Sequence, residues 1–290
     1  MNYTSNLPLR LSVFFIFSLV VLGCSKPDKK SMLGDDIRLF QDTKAWELAK
    51  AVKKGDVPNI HKLIRETKIP VDYREPRFGQ TLLIWAVYTN HYESVKALLE
   101  DGADPNLLET YSRKSALMYA SDYGPNYYKG TEILDLCLKH GGNPNFVATG
   151  QTPEGYKIRE TPLIISSKCC LVKTKMLVDA GANVNYVNEC NESALRSAIS
   201  LGGSEQVATT EYLLFEQHAD FKKAFVITID KDTISCAGLL RHWVYPLDSK
   251  EYKEKMAIVK YLKAHGQDYF KTAIPSWYYK NYSKEYLSKY

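Results

Sequence analysis

The sequence predicts an all-α fold, a solenoid of about six helix–turn–helix units with long finger loops. Two observations predict it. First, a short exit segment recurs at Gly102 to Asn106 (GADPN), Gly141 to Asn145 (GGNPN) and Gly181 to Asn185 (GANVN), with its glycines 39 and 40 residues apart. A fixed period of that size marks a chain built by stacking one supersecondary unit. Second, apolar residues recur at helical spacing before the exits, as at Val95, Leu98 and Leu99, or Ile133, Leu134 and Leu138. The Gly that follows supplies the left-handed residue that ends a helix cheaply. Thr81 and Thr161 stand just before the partner helix, where a hydroxyl can accept from free N–H groups. One such hairpin cannot bury its own apolar face, but stacked neighbours can.

Aligning on the exits gives units at residues 44–73, 79–106, 114–145, 160–185, 192–221 and 232–268. The first ends in Pro70-Val71-Asp72 where the others carry Gly. In the fifth, His218 replaces the turn Gly, and the sixth keeps only its second helix from Met256. Residues 269–290 are expected to cap the stack. Three segments lengthen the period and are expected in loops: 123–130, 146–160 and 242–253.

Gln80 to Asn106 resembles the ankyrin pattern nearly position by position. The family's T-P-L-H-x-A stretch appears as Thr81 to Ala86 (TLLIWA), its Gly-His turn as Asn90-His91, and its second helix and exit as Val95 to Asn106. Thr161-Pro162-Leu163 through Asn185 is as clear. The resemblance covers residues 44–268 and implies an ankyrin-repeat solenoid. It also places Trp85 and Tyr119 at a core leucine position.

No catalytic set is present. H-E-x-x-H, Gly-rich phosphate loops, G-x-S-x-G and EF-hand patterns are absent. His91, His140 and His265 fall beside turns where the family's pattern allows His. Five cysteines lie in the repeat region, Cys137, Cys169, Cys170, Cys190 and Cys236, without metal-ligand spacing. They are expected as free thiols, with a vicinal Cys169–Cys170 disulfide as the alternative. The expectation is a non-enzymatic protein with no cofactor and no metal.

The N-terminus carries a different message. Arg10 precedes Leu11 to Leu22, a twelve-residue stretch with ten apolar residues, the length of a signal h-region and short for a membrane span. Val21-Leu22-Gly23-Cys24 resembles a bacterial lipobox, although Leu22 stands where a smaller residue is usual. That resemblance implies a signal peptide at 1–23 and acylation of Cys24. Ser25 after it implies sorting to the outer membrane. Residues 24–43, polar on the whole, are expected as a lipidated tether. An ordinary signal peptide with an incidental Cys is the alternative.

Charge says little about partners. The net charge is +5, and the stretch from Lys250 to Tyr290, with nine Lys and four acidic residues, accounts for that whole excess. Such a tail can draw anions, yet it is more readily a solvated cap than a nucleic-acid surface, which carries a denser basic stripe. The 21 tyrosines stand out more. In ankyrin proteins partners meet the finger tips and the exposed row of the first helix. Carried over residue by residue, that row is Arg77, Phe78, Gln80 and Tyr88 in the second unit and Tyr111, Lys114, Asp122 and Tyr123 in the third. It continues as Ile158, Glu160 and Lys168 in the fourth and Glu192 in the fifth. Tyrosine suits an interface because it offers area, one polar handle and few rotors. For Tyr88, Tyr111 and Tyr123, packing between repeats is the competing reading. The expected partner is a protein, met by a monomer held to the bacterial envelope through its lipid, with no nucleic acid. The alternatives are an immunity-type inhibitor of a delivered toxin, or an enzyme accessory or hydrolase with a site in the long loops.

Overall fold

The computed structural model describes residues 32–122, 130–151, 155, 159–223, 225–227 and 233–290. Among them, helices pair as the exits predict: α1 (Trp46–Lys54) with α2 (Val57–Thr67), α3 (Leu82–Tyr88) with α4 (Tyr92–Glu100), and α5 (Ala116–Ser121) with α6 (Gly130–Lys139). Then follow α7 (Pro162–Ser167) with α8 (Leu171–Asp179) and α9 (Ala194–Leu201) with α10 (Ser204–Glu211), after which α11 (Cys236–Leu239) packs on α9 and α12 (Lys250–Ala264) on α10. The odd-numbered helices form one row and the even-numbered ones a second, each packing on the next in its row. The solenoid is therefore two helices thick, and one apolar core runs between the rows from Leu48 to Leu262.

The same local devices recur. Thr81, Ser115, Thr161, Ser193 and Ser235 each accept, through the side-chain oxygen, the backbone N–H three residues on. These hydroxyls start the inner helix of five units. Gly102, Gly141, Gly181 and Gly266 end the outer helices with φ of +88°, +88°, +89° and +95°. Units without that Gly still need the conformation. Lys68 (φ 55°) supplies it in the first unit and His218 (φ 50°) in the fifth, each paying the small steric cost of a side chain there.

A second periodic device joins the exits. Asp104 N–H donates to Asp72 Oδ1 (3.1 Å), Asn143 N–H to Asn106 Oδ1 (2.8 Å), Asn183 N–H to Asn145 Oδ1 (2.7 Å) and Asp220 N–H to Asn185 Oδ1 (2.8 Å). The exits of the first five units are thereby pinned in series. Burial holds the Asp72 carboxyl above the usual carboxylate range, against the pull of the Asp104 N–H.

One feature corrects an expectation and two add detail to the fold. The segment 32–42 is not a tether. Ile37–Phe40 forms a 3₁₀ turn, and Met32, Ile37, Leu39 and Phe40 are buried against the first hairpin. Trp85 Nε1 donates to Asp35 O (2.9 Å) and Arg77 Nη1 to Met32 O (2.6 Å), closing the segment over the second unit. Four apolar side chains set among charged ones are enough to cover an end that would otherwise expose apolar surface. The sixth unit's finger contains a two-stranded antiparallel ribbon, β1 (Val226–Ile227) with β2 (Thr233–Ile234), in which Val226 faces Ile234. The C-terminal cap is two short helices, α13 (Tyr278–Asn281) and α14 (Lys284–Lys289), with their own small core around Tyr278, Leu287 and Tyr290. The cysteines 137, 169, 170, 190 and 236 are free thiols, so Cys169 and Cys170 are not bridged. No helix among the described residues is long and apolar enough to cross a membrane. The signal stretch and Cys24 lie outside the described residues.

Candidate functional site

The fingers of units two and three are built on buried carboxylates. Glu75 accepts the backbone N–H groups of Arg77 (2.7 Å), Phe78 (2.6 Å) and Gln80 (3.1 Å). Glu109 does the same in the next unit for Tyr111 (2.5 Å), Ser112 (2.8 Å) and Lys114 (3.1 Å), and also accepts the Ser112 hydroxyl. A carboxylate accepting several N–H bonds fixes a tight turn that has few ladder bonds of its own. The turn closes at Gly79 (φ 64°) and Arg113 (φ 59°). Thr110 then donates twice to Phe78 O, by its N–H and its hydroxyl, at 2.6 Å each, tying finger three to finger two.

This architecture places side chains from both units around one cleft of about 550 Å³. Phe78 and Tyr111 stand edge to face with centroids 5.7 Å apart, and Tyr88 and Tyr119 do so at 5.4 Å. Tyr88 and Tyr111 remain 47% and 52% exposed. The Arg77 guanidinium lies 4.5 Å from the Phe78 ring centre. Met32 and Leu33 from the N-terminal segment also line it.

Seven of the twelve sequence-predicted contact residues line this cleft: Arg77, Phe78, Gln80, Tyr88, Tyr111, Lys114 and Asp122. Lys114 and Asp122 are not independent contacts, since Nζ and Oδ2 pair at 2.5 Å. Gln80 is not exposed as expected. It is only 4% accessible, because the finger folds over it. Glu160, Lys168 and Glu192 gather elsewhere, with Lys168 Nζ 2.5 Å from Glu160 and 3.0 Å from Glu192. Burial pulls the Lys168 ammonium down, but the two carboxylates more than offset it and hold it above its ordinary value. The same pairing holds Glu192 below the usual range despite its burial. This cluster staples units four and five. Tyr123 and Ile158 lie outside the described residues.

Sequence reasoning missed several contributors. Tyr119, expected in the core, is half-buried at the cleft wall. Its hydroxyl meets Ser112 Oγ at 2.8 Å, and burial raises it to about 12. Lys173 reaches the cleft from α8 with Nζ donating to Asp122 O (2.6 Å), and burial holds it below its ordinary value. Its signal was legible: a Lys four residues before the core residue Leu177 falls on the buried face of a helix.

The arrangement offers shape and aromatic surface. No His or Cys is among the described residues lining the cleft. The Glu109 carboxylate is taken up by its finger. No group of three or more His, Cys, Asp or Glu that could hold a metal occurs among the described residues.

Comparison with known proteins agrees with this geometry. Residues 48–148, which include both fingers, match the family model described as ankyrin repeats (3 copies). The chain is 32% identical over 146 residues, 49% of its length, to Protein PhlB of Serratia liquefaciens, and the match spans 60% of that protein. Two solved structures share its fold at 24% identity. The ankyrin repeat protein EF0377 matches 74% of this chain and 96% of its own with a TM-score of 0.54. An ankyrin repeat domain (ABAYE2397) from Acinetobacter baumannii AYE matches 73% and 94% with a TM-score of 0.55. With hydroxyl-capped inner helices, glycine exits and two rows of stacked helices, the chain is an ankyrin-repeat solenoid, and residues 48–148 carry the sequence pattern of the ankyrin repeat family.

Proposed function

We propose that the chain is a non-enzymatic, protein-binding scaffold whose partner docks on the cleft of units two and three. One observation carries this reading: Phe78, Tyr88, Tyr111 and Tyr119, from two consecutive repeats, line a single recess of about 550 Å³. Rigid aromatic walls with exposed edges are the chemistry of interface hot spots, where a few desolvated side chains carry most of the energy. The ankyrin fold alone names no partner, so the site has to carry the argument.

We also propose that this scaffold works at the bacterial envelope, as a monomer held to the outer membrane by acylated Cys24. The support is the hydrophobic stretch Leu11 to Leu22 followed by Val21-Leu22-Gly23-Cys24. A chain with Cys24→Ala is expected to lose labelling by a fatty-acid probe and to leave the detergent phase; unchanged labelling and partitioning would remove the anchor from the reading.

The docking face is tested by cross-linking and pull-down from the native envelope, followed by affinity measurement on the purified partner. Tyr88→Ala with Tyr111→Ala is expected to weaken binding at least about tenfold, or about 1.4 kcal/mol. The fold should survive, because both side chains are half exposed. Raised salt should change affinity only modestly. If the tyrosine pair has no effect and salt or loss of the basic tail abolishes binding, the site moves to the C-terminus and an anionic partner is favoured.

A further inference from the structure

Beyond the last repeat, the sixteen residues from Tyr269 to Lys284 contain three lysines, six aromatic residues and no carboxylate. Three of the nine exposed large apolar side chains among the described residues fall inside this stretch: Phe270, Trp277 and Tyr279, at 51%, 50% and 62%. They are not exposed for want of a core. The cap buries Tyr269, Tyr278 and Tyr290 almost completely. Phe270 and Trp277 rest on two of those rings, with centres 5.2 Å from Tyr269 and 3.9 Å from Tyr278. The buried tyrosines therefore hold the exposed rings in place at the surface.

The charge of the cap is concentrated in the same stretch. At its flanks, Lys250, Lys263 and Lys289 stand 3.2, 3.9 and 3.4 Å from Glu254, Asp268 and Glu285. Inside it, Lys271, Lys280 and Lys284 are exposed, and none is paired with a carboxylate among the described residues. Exposed rings among unpaired lysines match the chemistry of a membrane surface. Trp and Tyr combine an apolar ring with a polar tip and settle at the headgroup level. Lys keeps its stem on apolar material while its ammonium reaches the phosphates. An anionic surface attracts such lysines without fixing any one of them in a single geometry. Nucleic acid fits less well, because its readers favour the planar, forked guanidinium. The chain has no Arg after Arg241, and Arg241 is buried.

We propose that the stretch from Phe270 to Lys284 is a peripheral membrane contact. Phe270, Trp277 and Tyr279 enter the headgroup region of an anionic bilayer, and Lys271, Lys280 and Lys284 meet its phosphates. This goes beyond the cleft as the partner site, and it does not require an acylated Cys24. With that acylation, the chain is held at both ends, by its lipid before the first unit and by the cap after the sixth, and the solenoid lies along the membrane.

The test uses the full-length chain in the form that cells make, reconstituted in two kinds of vesicle that carry a photoactivatable phospholipid. One kind is phosphatidylcholine alone, and the other contains about 30% phosphatidylglycerol. After illumination, mass spectrometry locates the labelled peptides and reads the mass of the Cys24 peptide. Label is expected within residues 269–284 on the anionic vesicles, and at least about fivefold less of it on phosphatidylcholine or in about 0.5 M salt. Trp277→Ser with Tyr279→Ser, and separately Lys271→Gln with Lys280→Gln and Lys284→Gln, should each lower the label in residues 269–284. All five side chains are exposed, and the comparison of the two vesicles on the unsubstituted chain stands even if a variant folds poorly. The proposal is overturned if residues 269–284 take up no more label than α4, or take up the same amount on both vesicles. Cross-links between two copies through this stretch, or binding of a single-stranded oligonucleotide to it, in the absence of lipid label would overturn it as well. An unmodified Cys24 with label in residues 269–284 would remove the lipid anchor and leave the cap contact standing. An acylated Cys24 with label only near the N-terminus would do the reverse.

Discussion

Lys255 is the most demanding residue in the molecule. It is 0% exposed, at the inner face of α12, with Nζ donating to Trp243 O at 2.8 Å. The Tyr290 and Tyr269 ring centres lie 3.7 and 5.0 Å from Nζ, and the Arg241 guanidinium sits over the same Tyr269 ring. Burial, helped by the positive charge of Arg241, pulls the ammonium down from 10.5 to about 6. The unfolded chain keeps the ordinary lysine value. Between those two values the unfolded state holds a proton that the folded state lacks, so stability rises with pH across that window. Below about 6 both states are protonated and the dependence vanishes. The slope approaches about 1.4 kcal/mol per pH unit, or about 3 kcal/mol between pH 6.5 and 8.5. Lys255→Met retains volume and removes the titration, and it orphans nothing, because Trp243 O also accepts from the Tyr290 hydroxyl at 2.8 Å. Urea titrations of both chains at several pH values in that range give the comparison, with the m-value checked for constancy. The stability of the parent chain relative to Lys255→Met should climb by about 3 kcal/mol from pH 6.5 to 8.5. A difference that stays flat would mean that the lysine remains charged and that the Tyr290 face offsets its burial, refuting the reasoning.

Three further outcomes follow from the packing. Leu98→Ala and Leu177→Ala each remove a fully buried core side chain and should cost about 2–5 kcal/mol in denaturant titrations, whereas exposed Glu100→Ala should stay within about 0.5 kcal/mol; equal effects would mean that the repeat register is wrong. Glu75→Ala strips the acceptor from three finger N–H groups and should cost about 2–3 kcal/mol. Its amide exchange should quicken at residues 77–80 and stay unchanged in α12. Removing residues 277–290 uncovers Arg241, Lys255 and Tyr269, because Tyr290 bonds to the carbonyls of Arg241 and Trp243 and accepts from Arg241 in turn. The shortened chain should melt earlier, while the NMR signals of fingers two and three should keep their positions.

The repeat was legible in the sequence because its signals are local. A glycine exit, a hydroxyl three residues before a helical N–H and apolar residues at helical spacing are set by the backbone within one unit, and all three recur in the structure. The family pattern also placed seven candidate contact residues on one surface, since a solenoid carries equivalent positions into a row. What the sequence could not decide was which of those positions another part of the chain would cover. Met32 to Phe40 sits at the end of a stretch that is polar on the whole, yet four of its apolar side chains cap the stack because an apolar end was available to receive them. Gln80 and Tyr119 exchanged their expected environments, one buried by its own finger and the other left at the cleft wall. Lys168 became a staple between units rather than a partner contact. Exposure and pairing depend on neighbours tens of residues away, so only the stacked structure could fix them.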